Sequence, residues 1–93
     1  MIVIIVERVS ASLRGELSRW LLEPRACVFV GSPSAMVRDR LWELVCEKAQ
    51  GGTATLIHTS DAEQGFDVRL WGSPDRAVVD FDGLWLVDIK RTQ

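Results

Sequence analysis

The run Ile2-Val3-Ile4-Ile5-Val6 opens the chain and constrains it most. All five residues are β-branched, a side-chain type that loses rotamer freedom in helices and packs well on a pleated surface. Apolar side chains at every position, rather than every second one, describe a central strand buried on both faces. The whole chain has 93 residues, near the lower end of what folds alone, so this strand must be the centre of a single domain.

The rest of the chain supplies elements to surround it. Ser10 or Ser12 can cap a first helix in which Leu13, Leu17, Trp20 and Leu21 recur at helical spacing. Pro24 is expected to end that helix, because the residue before a proline avoids the α region. Residues 25–30 then read as a second strand, stopped by Gly31-Ser32-Pro33. Ser34 caps a longer helix through about Ala49, with an apolar stripe of Val37, Leu41, Leu44 and Val45 and the aliphatic stem of Lys48. Gly51-Gly52 terminates it. Residues 53–59 form a third strand and 60–65 a polar connection. Residues 66–71 alternate Phe66, Val68 and Leu70 with Asp67, Arg69 and Trp71, a fourth strand with one face more polar. Asp82-Gly83 between apolar runs signals a terminal hairpin. The implied fold is an α+β, ferredoxin-like sandwich: an antiparallel sheet with two helices on one face. Residues 1–77 form its body and 78–93 a C-terminal β extension of the same domain.

Composition narrows the function. A net charge of −2 argues against a generally basic nucleic-acid-binding domain, although local arginines can still face phosphate. Cys27 and Cys46 could pair, but with Met1 leading straight into a strand they are expected to be buried free thiols of a cytoplasmic protein. They lack any CxxC or histidine spacing for zinc. No apolar run reaches the roughly 20 residues of a membrane helix. So short a chain also favours a homodimer.

The arginines carry the strongest functional signal. Arg14 lies in the first helix, Arg25 opens the second strand, Arg38 lies early in the second helix, and Arg76 lies in the turn after the fourth strand. Arg8 follows the first strand directly. The planar guanidinium fork suits phosphate oxygens. The competing reading pairs Arg14, Arg25 and Arg38 with Glu16, Glu23 and Asp39 as solvated surface charge. Glu7 ends the central strand, where a carboxylate could hold magnesium if a dimer mate brought a second one close. A contact to Arg8 or to backbone is the simpler role. His58, the lone histidine, reads as a surface or half-buried strand neighbour, not a general base. Asp61, Glu63 and Asp67 read as a solvated acidic turn. Trp20 and Trp42 sit beside the helix stripes and read as core or dimer packing. No recognition helix or base-stacking motif points to sequence-specific reading.

Several segments, in order, carry a resemblance: Glu7, Leu13-Arg14-Gly15, Trp20-Leu21-Leu22-Glu23, Arg25-Ala26, Val28-Phe29-Val30-Gly31, Ser34-Ala35, Trp42-Glu43, Gly65-Phe66, Trp71-Gly72 and the stretch from Val79 to Leu84. Together they resemble the small CRISPR-associated adaptation protein of the Cas-two family, in its type I-E version. The resemblance implies a ferredoxin-like protomer in a homodimer that bridges two dimers of the integrase (the Cas-one family). Between them the dimer holds the middle of a prespacer DNA duplex by its backbone. By position, Arg14 and Arg76 match residues that the family uses on the DNA. Ser12 and Asp75 stand where a relative has basic residues, which shifts weight to Arg8 and Arg38. The C-terminal segment, Val78, Val79, Asp80, Phe81, Leu84, Trp85, Leu86 and Val87, resembles the part that docks on the integrase. Exposed Trp85 would serve as an anchor there.

Two functional classes follow. One is a non-catalytic DNA-holding scaffold that needs no cofactor. The other is a magnesium-dependent endonuclease or endoribonuclease using paired Glu7 carboxylates, an activity attributed to the wider family. Arginine placement, the C-terminal extension and the sparse acid–base inventory favour the scaffold.

Overall fold

In a computed structural model, residues 1–72 and the backbone of residues 76–81 and 84–89 are described. The elements are β1 (Ile2–Glu7), α1 (Ala11–Ser18), β2 (Leu22–Arg25), β3 (Val28–Gly31), α2 (Ala35–Lys48), β4 (Thr53–Thr59), β5 (Phe66–Trp71), β6 (Arg76–Phe81) and β7 (Leu84–Ile89). Strands β1 to β5 make one sheet in the order β2-β3-β1-β4-β5, and β6 pairs with β7 separately. Every pairing is antiparallel. This is the expected ferredoxin-like α+β plan: two β-α-β halves interleave and place β1 between β3 and β4.

The helices begin where the capping serines put them. Ser10 Oγ accepts from the Leu13 N–H at 3.1 Å, and Ser34 Oγ accepts from the Val37 N–H at 3.2 Å. The first helix is shorter than its apolar spacing suggests. It stops at Ser18, and the chain then carries Leu21 into the core. Leu21 lies so close under Gly31 that a Cβ there would come within 2.7 Å of its side chain. Residues 22–24, expected as helix end and turn, belong instead to strand β2, and Pro24 lies within it. An edge strand tolerates proline because one row of its N–H groups faces solvent. The expected single strand over 25–30 is therefore two, β2 and β3, joined at Ala26-Cys27 with Cys27 at φ +67°.

The register sorts the sheet into two faces. Toward the helices, Phe29, Ile4, Leu56 and Arg69 lie side by side on β3, β1, β4 and β5. Ile2, Ile4, Val6, Phe29, Ala54 and Leu56 are buried there with Leu13 and Leu17 of α1 and Leu41 and Val45 of α2. Trp42, Leu44 and Trp71 pack against this core. Away from the helices, a second row runs Leu22, Val30, Val3, Ile57, Val68 across all five strands. Next to it runs Arg25, Val28, Ile5, Thr55, Leu70. On this open face Ile5 is 36 % and Leu22 69 % exposed. The first strand is thus central but buried on one face only. On β5 the apolar set points to the open face, whereas Asp67, Arg69 and Trp71 point toward the helix side.

At one end of the sheet the backbones meet closely. Arg8 turns at φ +56° immediately after β1, and Gly52 lies against it. A Cβ on Gly52 would be driven into the Glu7 and Arg8 carbonyl oxygens, which are rigid backbone. Gly52→Ala should cost about 1–3 kcal/mol through overpacking, read as a lowered melting temperature at neutral pH, whereas Gly15→Ala, with open space around it, should not destabilise.

Candidate nucleic-acid interface

That same end gathers Arg8, Arg14 and Arg25, three of the five candidate arginines. The pairings of Ile5 with Val28, Val28 with Arg25, Glu7 with Thr53 and Ala54 with Trp71 bring the last residues of β1, β2 and β5 together with the first of β3 and β4. Arg8 lies just beyond β1, and α1 starts there too, placing Arg14 about one turn in. Arg8 borders a shallow cavity of about 200 Å³ lined also by Gly51, Gly52, Thr53, Trp71 and Gly72. Arg8 and Arg25 are exposed. Among the described residues neither is in an ion pair.

Arg14 is held differently. Its Nη2 donates to Glu23 Oε2 at 3.1 Å, and its Nε is enclosed without a partner among the described residues. The same Glu23 oxygen accepts the Cys27 N–H at 2.9 Å. The Cys27 carbonyl in turn accepts the Val6 N–H at 3.0 Å. Glu23 thus ties α1 to the β2–β3 turn and, through that turn, to the end of β1. The hydrogen bond from Cys27 N–H, with the Arg14 guanidinium adding to it, holds the Glu23 carboxyl below the usual glutamate range against partial desolvation. Of the expected surface pairs, Arg14 therefore finds Glu23, while Glu16 binds Lys48 Nζ at 3.0 Å instead.

Arg38 stands apart from this group. β3 runs away from the arginine-rich end, so α2 begins at the far end of the sheet, where Ile2 lies between Gly31 and His58. There Arg38 Nε donates to Asp39 Oδ1 at 3.1 Å, and Arg69 Nη1 donates to the same oxygen at 3.1 Å. The two arginines, Arg38 first, hold the Asp39 carboxyl below its ordinary value. Arg38 Nη1 also lies 3.3 Å from His58 Nδ1. The arrangement brackets α2 onto β4 and β5.

His58 is buried, 6 % exposed, rather than at the surface or half-buried as its strand pattern suggested. Its Nδ1 lies 2.9 Å from the Thr59 carbonyl oxygen, and its Nε2 is enclosed with no partner among the described residues. Period-two burial explains this: His58 follows Ala54 and Leu56 on the helix-facing side of β4. Trp20, expected in packing, is 64 % exposed in the protomer.

Glu7 is exposed, ends β1 on the open face after Val3 and Ile5, and makes no ion pair among the described residues. Asp61 and Glu63 are exposed in the 60–65 connection, while Asp67 lies on β5 opposite His58. Among the described residues no three His, Cys, Asp or Glu side chains come together as a metal site within the protomer. Cys27 and Cys46 are free thiols as expected but half-buried rather than buried, and partial burial pushes the Cys46 thiol up. Arg76 begins β6, and Val78 to Phe81 and Leu84 to Val87 lie on the paired strands β6 and β7. Their side chains, including Trp85, lie outside the described residues, as does the Asp82-Gly83 turn. No helix among the described residues is long and apolar enough to cross a membrane.

The lowered Glu23 carboxyl has a pH signature. A group whose folded value is depressed stabilises fully above its unfolded value and loses that contribution as pH falls through the folded one. Glu23→Gln should therefore show a smaller fall in melting temperature than the wild type across acidic pH, with the two curves separating most at neutral pH.

Residues 1–86, from β1 into β7, match the family described as CRISPR-associated protein (Cas_Cas2CT1978). With nearly its whole length matched, the chain belongs to this Cas2-like family of CRISPR-associated proteins.

Proposed function

We propose that the protein is the DNA-holding scaffold of CRISPR spacer acquisition, of the type I-E kind: a cytoplasmic homodimer that bridges two integrase dimers and grips a prespacer duplex by its phosphates. The observation that carries this reading is the gathering of Arg8, Arg14 and Arg25 at one end of the sheet. Phosphate contacts position a duplex without reading its sequence, and they require this kind of local cationic end rather than an overall basic chain. Arg76, at the start of β6, extends the set. Arg38, paired with Asp39 at the far end of the sheet, stands outside this set.

The open sheet face supports the dimer. The row of Leu22, Val30, Val3, Ile57 and Val68, with Leu22 exposed and the other four half-buried in the protomer, is an apolar layer that a second copy of the same face would bury. The β6–β7 hairpin, paired with itself in a sheet of its own, offers the integrase a strand edge for docking. Val78, Val79, Asp80, Phe81, Leu84, Trp85, Leu86 and Val87 would carry that contact. This role requires no cofactor.

A second reading has one observation in its favour. Glu7 is exposed, unpaired among the described residues and on the face that a dimer would close. A symmetric pair of Glu7 carboxylates could therefore hold magnesium for phosphodiester hydrolysis. Spacer integration in a reconstituted mixture of protein, integrase and short duplex separates the two. The scaffold reading predicts equal integration by wild type and Glu7→Ala. Loss of integration by Glu7→Ala, with dimer and integrase binding intact, would favour metal chemistry.

A further inference from the structure

We propose that Glu23 is the positioning residue for Arg14, presenting its guanidinium to the DNA phosphate; the proposal rests on the DNA-holding reading above. A free surface arginine samples many rotamers and loses that freedom when it binds. Arg14 has already lost much of it. Its Nη2 is held by Glu23 at 3.1 Å and its Nε is enclosed, while the side chain as a whole keeps 38 % of its surface exposed.

Glu23 is itself fixed. The Cys27 N–H holds the same oxygen at 2.9 Å, at a residue whose left-handed backbone (φ +67°) sets the β2–β3 turn. That turn is pinned to β1 by the bond from Val6 N–H to the Cys27 carbonyl. Arg14 is therefore placed, before DNA arrives, relative to the strand ends that carry Arg8 and Arg25. A carboxylate beside a phosphate-binding arginine would otherwise be a net liability, because its charge repels the ligand. Here its two hydrogen bonds are what define the arginine's geometry.

The test uses the full-length protein and a short duplex of mixed sequence, with affinity measured between about 50 and 200 mM salt. Glu23→Gln keeps an oxygen for the Cys27 N–H and removes the charge that holds Arg14. Affinity is expected to fall several-fold, and the slope of log K against log salt to flatten by about 0.9 for each phosphate that is no longer neutralised. Arg14→Ala should flatten it equally, and Glu23→Gln added to Arg14→Ala should change nothing more. An unchanged slope, or tighter binding by Glu23→Gln, would overturn the proposal and make Glu23 a competitor of the phosphate. A purely structural role would lower the melting temperature without altering the slope. A wild type that binds no duplex would instead defeat the DNA-holding reading itself, and this proposal with it. A readout free of mutation is the NMR signal of the Arg14 Nε–H group. Restricted rotation and slow exchange in the free wild type are expected, and a freely rotating guanidinium would overturn the proposal.

Discussion

The five-stranded sheet is registered against β1. This strand is hydrogen-bonded on both sides, with Ile4 between Phe29 and Leu56 and Val3 between Val30 and Ile57. A one-residue slip on either side would exchange the buried set Ile2, Ile4 and Val6 for Val3, Ile5 and Glu7. The two faces are both apolar, so polarity alone does not choose between them. The choice is made by what the neighbours bring: Phe29 and Leu56 must meet Leu13, Leu17, Leu41 and Val45 from the helices. With the register set, the end of β1 has to carry Glu7 and Arg8 to the place where β2 and β5 finish and β3 and β4 start.

That crowded end is where the backbone leaves ordinary conformations. Arg8 and Cys27 are the non-glycine residues with positive φ among those described, and they lie at neighbouring strand ends. Such conformations persist when surrounding structure over-determines them. Gly52 packs against the Arg8 turn, and Glu23 caps the Cys27 turn. The far end is built on different terms. Asp39 accepts from both Arg38 and Arg69 beside His58, which turns the candidate DNA-binding Arg38 into part of a bracket between helix and sheet. At the arginine-rich end one carboxylate, Glu23, holds one arginine, whereas at the far end Asp39 accepts from two.

The longer elements are legible in the sequence because they are periodic. Ser34 and the α2 stripe, the strand over 53–59, and Glu7 at the end of β1 are where local pattern places them. The departure at 22–25 arises because Pro24 looks locally like a helix stop. Proline is equally at home on a sheet edge, and edge status is a tertiary fact absent from the local sequence. Leu21 finds its place only because Gly31 leaves room for it. His58 departs from its expected exposure because a lone polar residue in an apolar alternation follows its neighbours inward when a partner such as Arg38 arrives from another element. The pairing of Arg14 with Glu23 spans nine residues across a helix end and a strand, a separation at which spacing carries no signal. Val6, Leu13 and Phe29 sit in apolar patterns that mark them as core, but nothing in their neighbourhoods shows that β1 is covered on only one side.

That uncovered side is the centre of the account. An N-terminal strand written for burial on both faces, in a protomer with helices on one, leaves the row from Leu22 to Val68 on the face that the proposed dimer would bury. The most direct measurement is the solution mass of the full-length protein by sedimentation equilibrium over a dilution series. The account predicts a mass of twice the 10.4 kDa chain that persists on dilution. A mass of one chain throughout, with the protein folded, would contradict it.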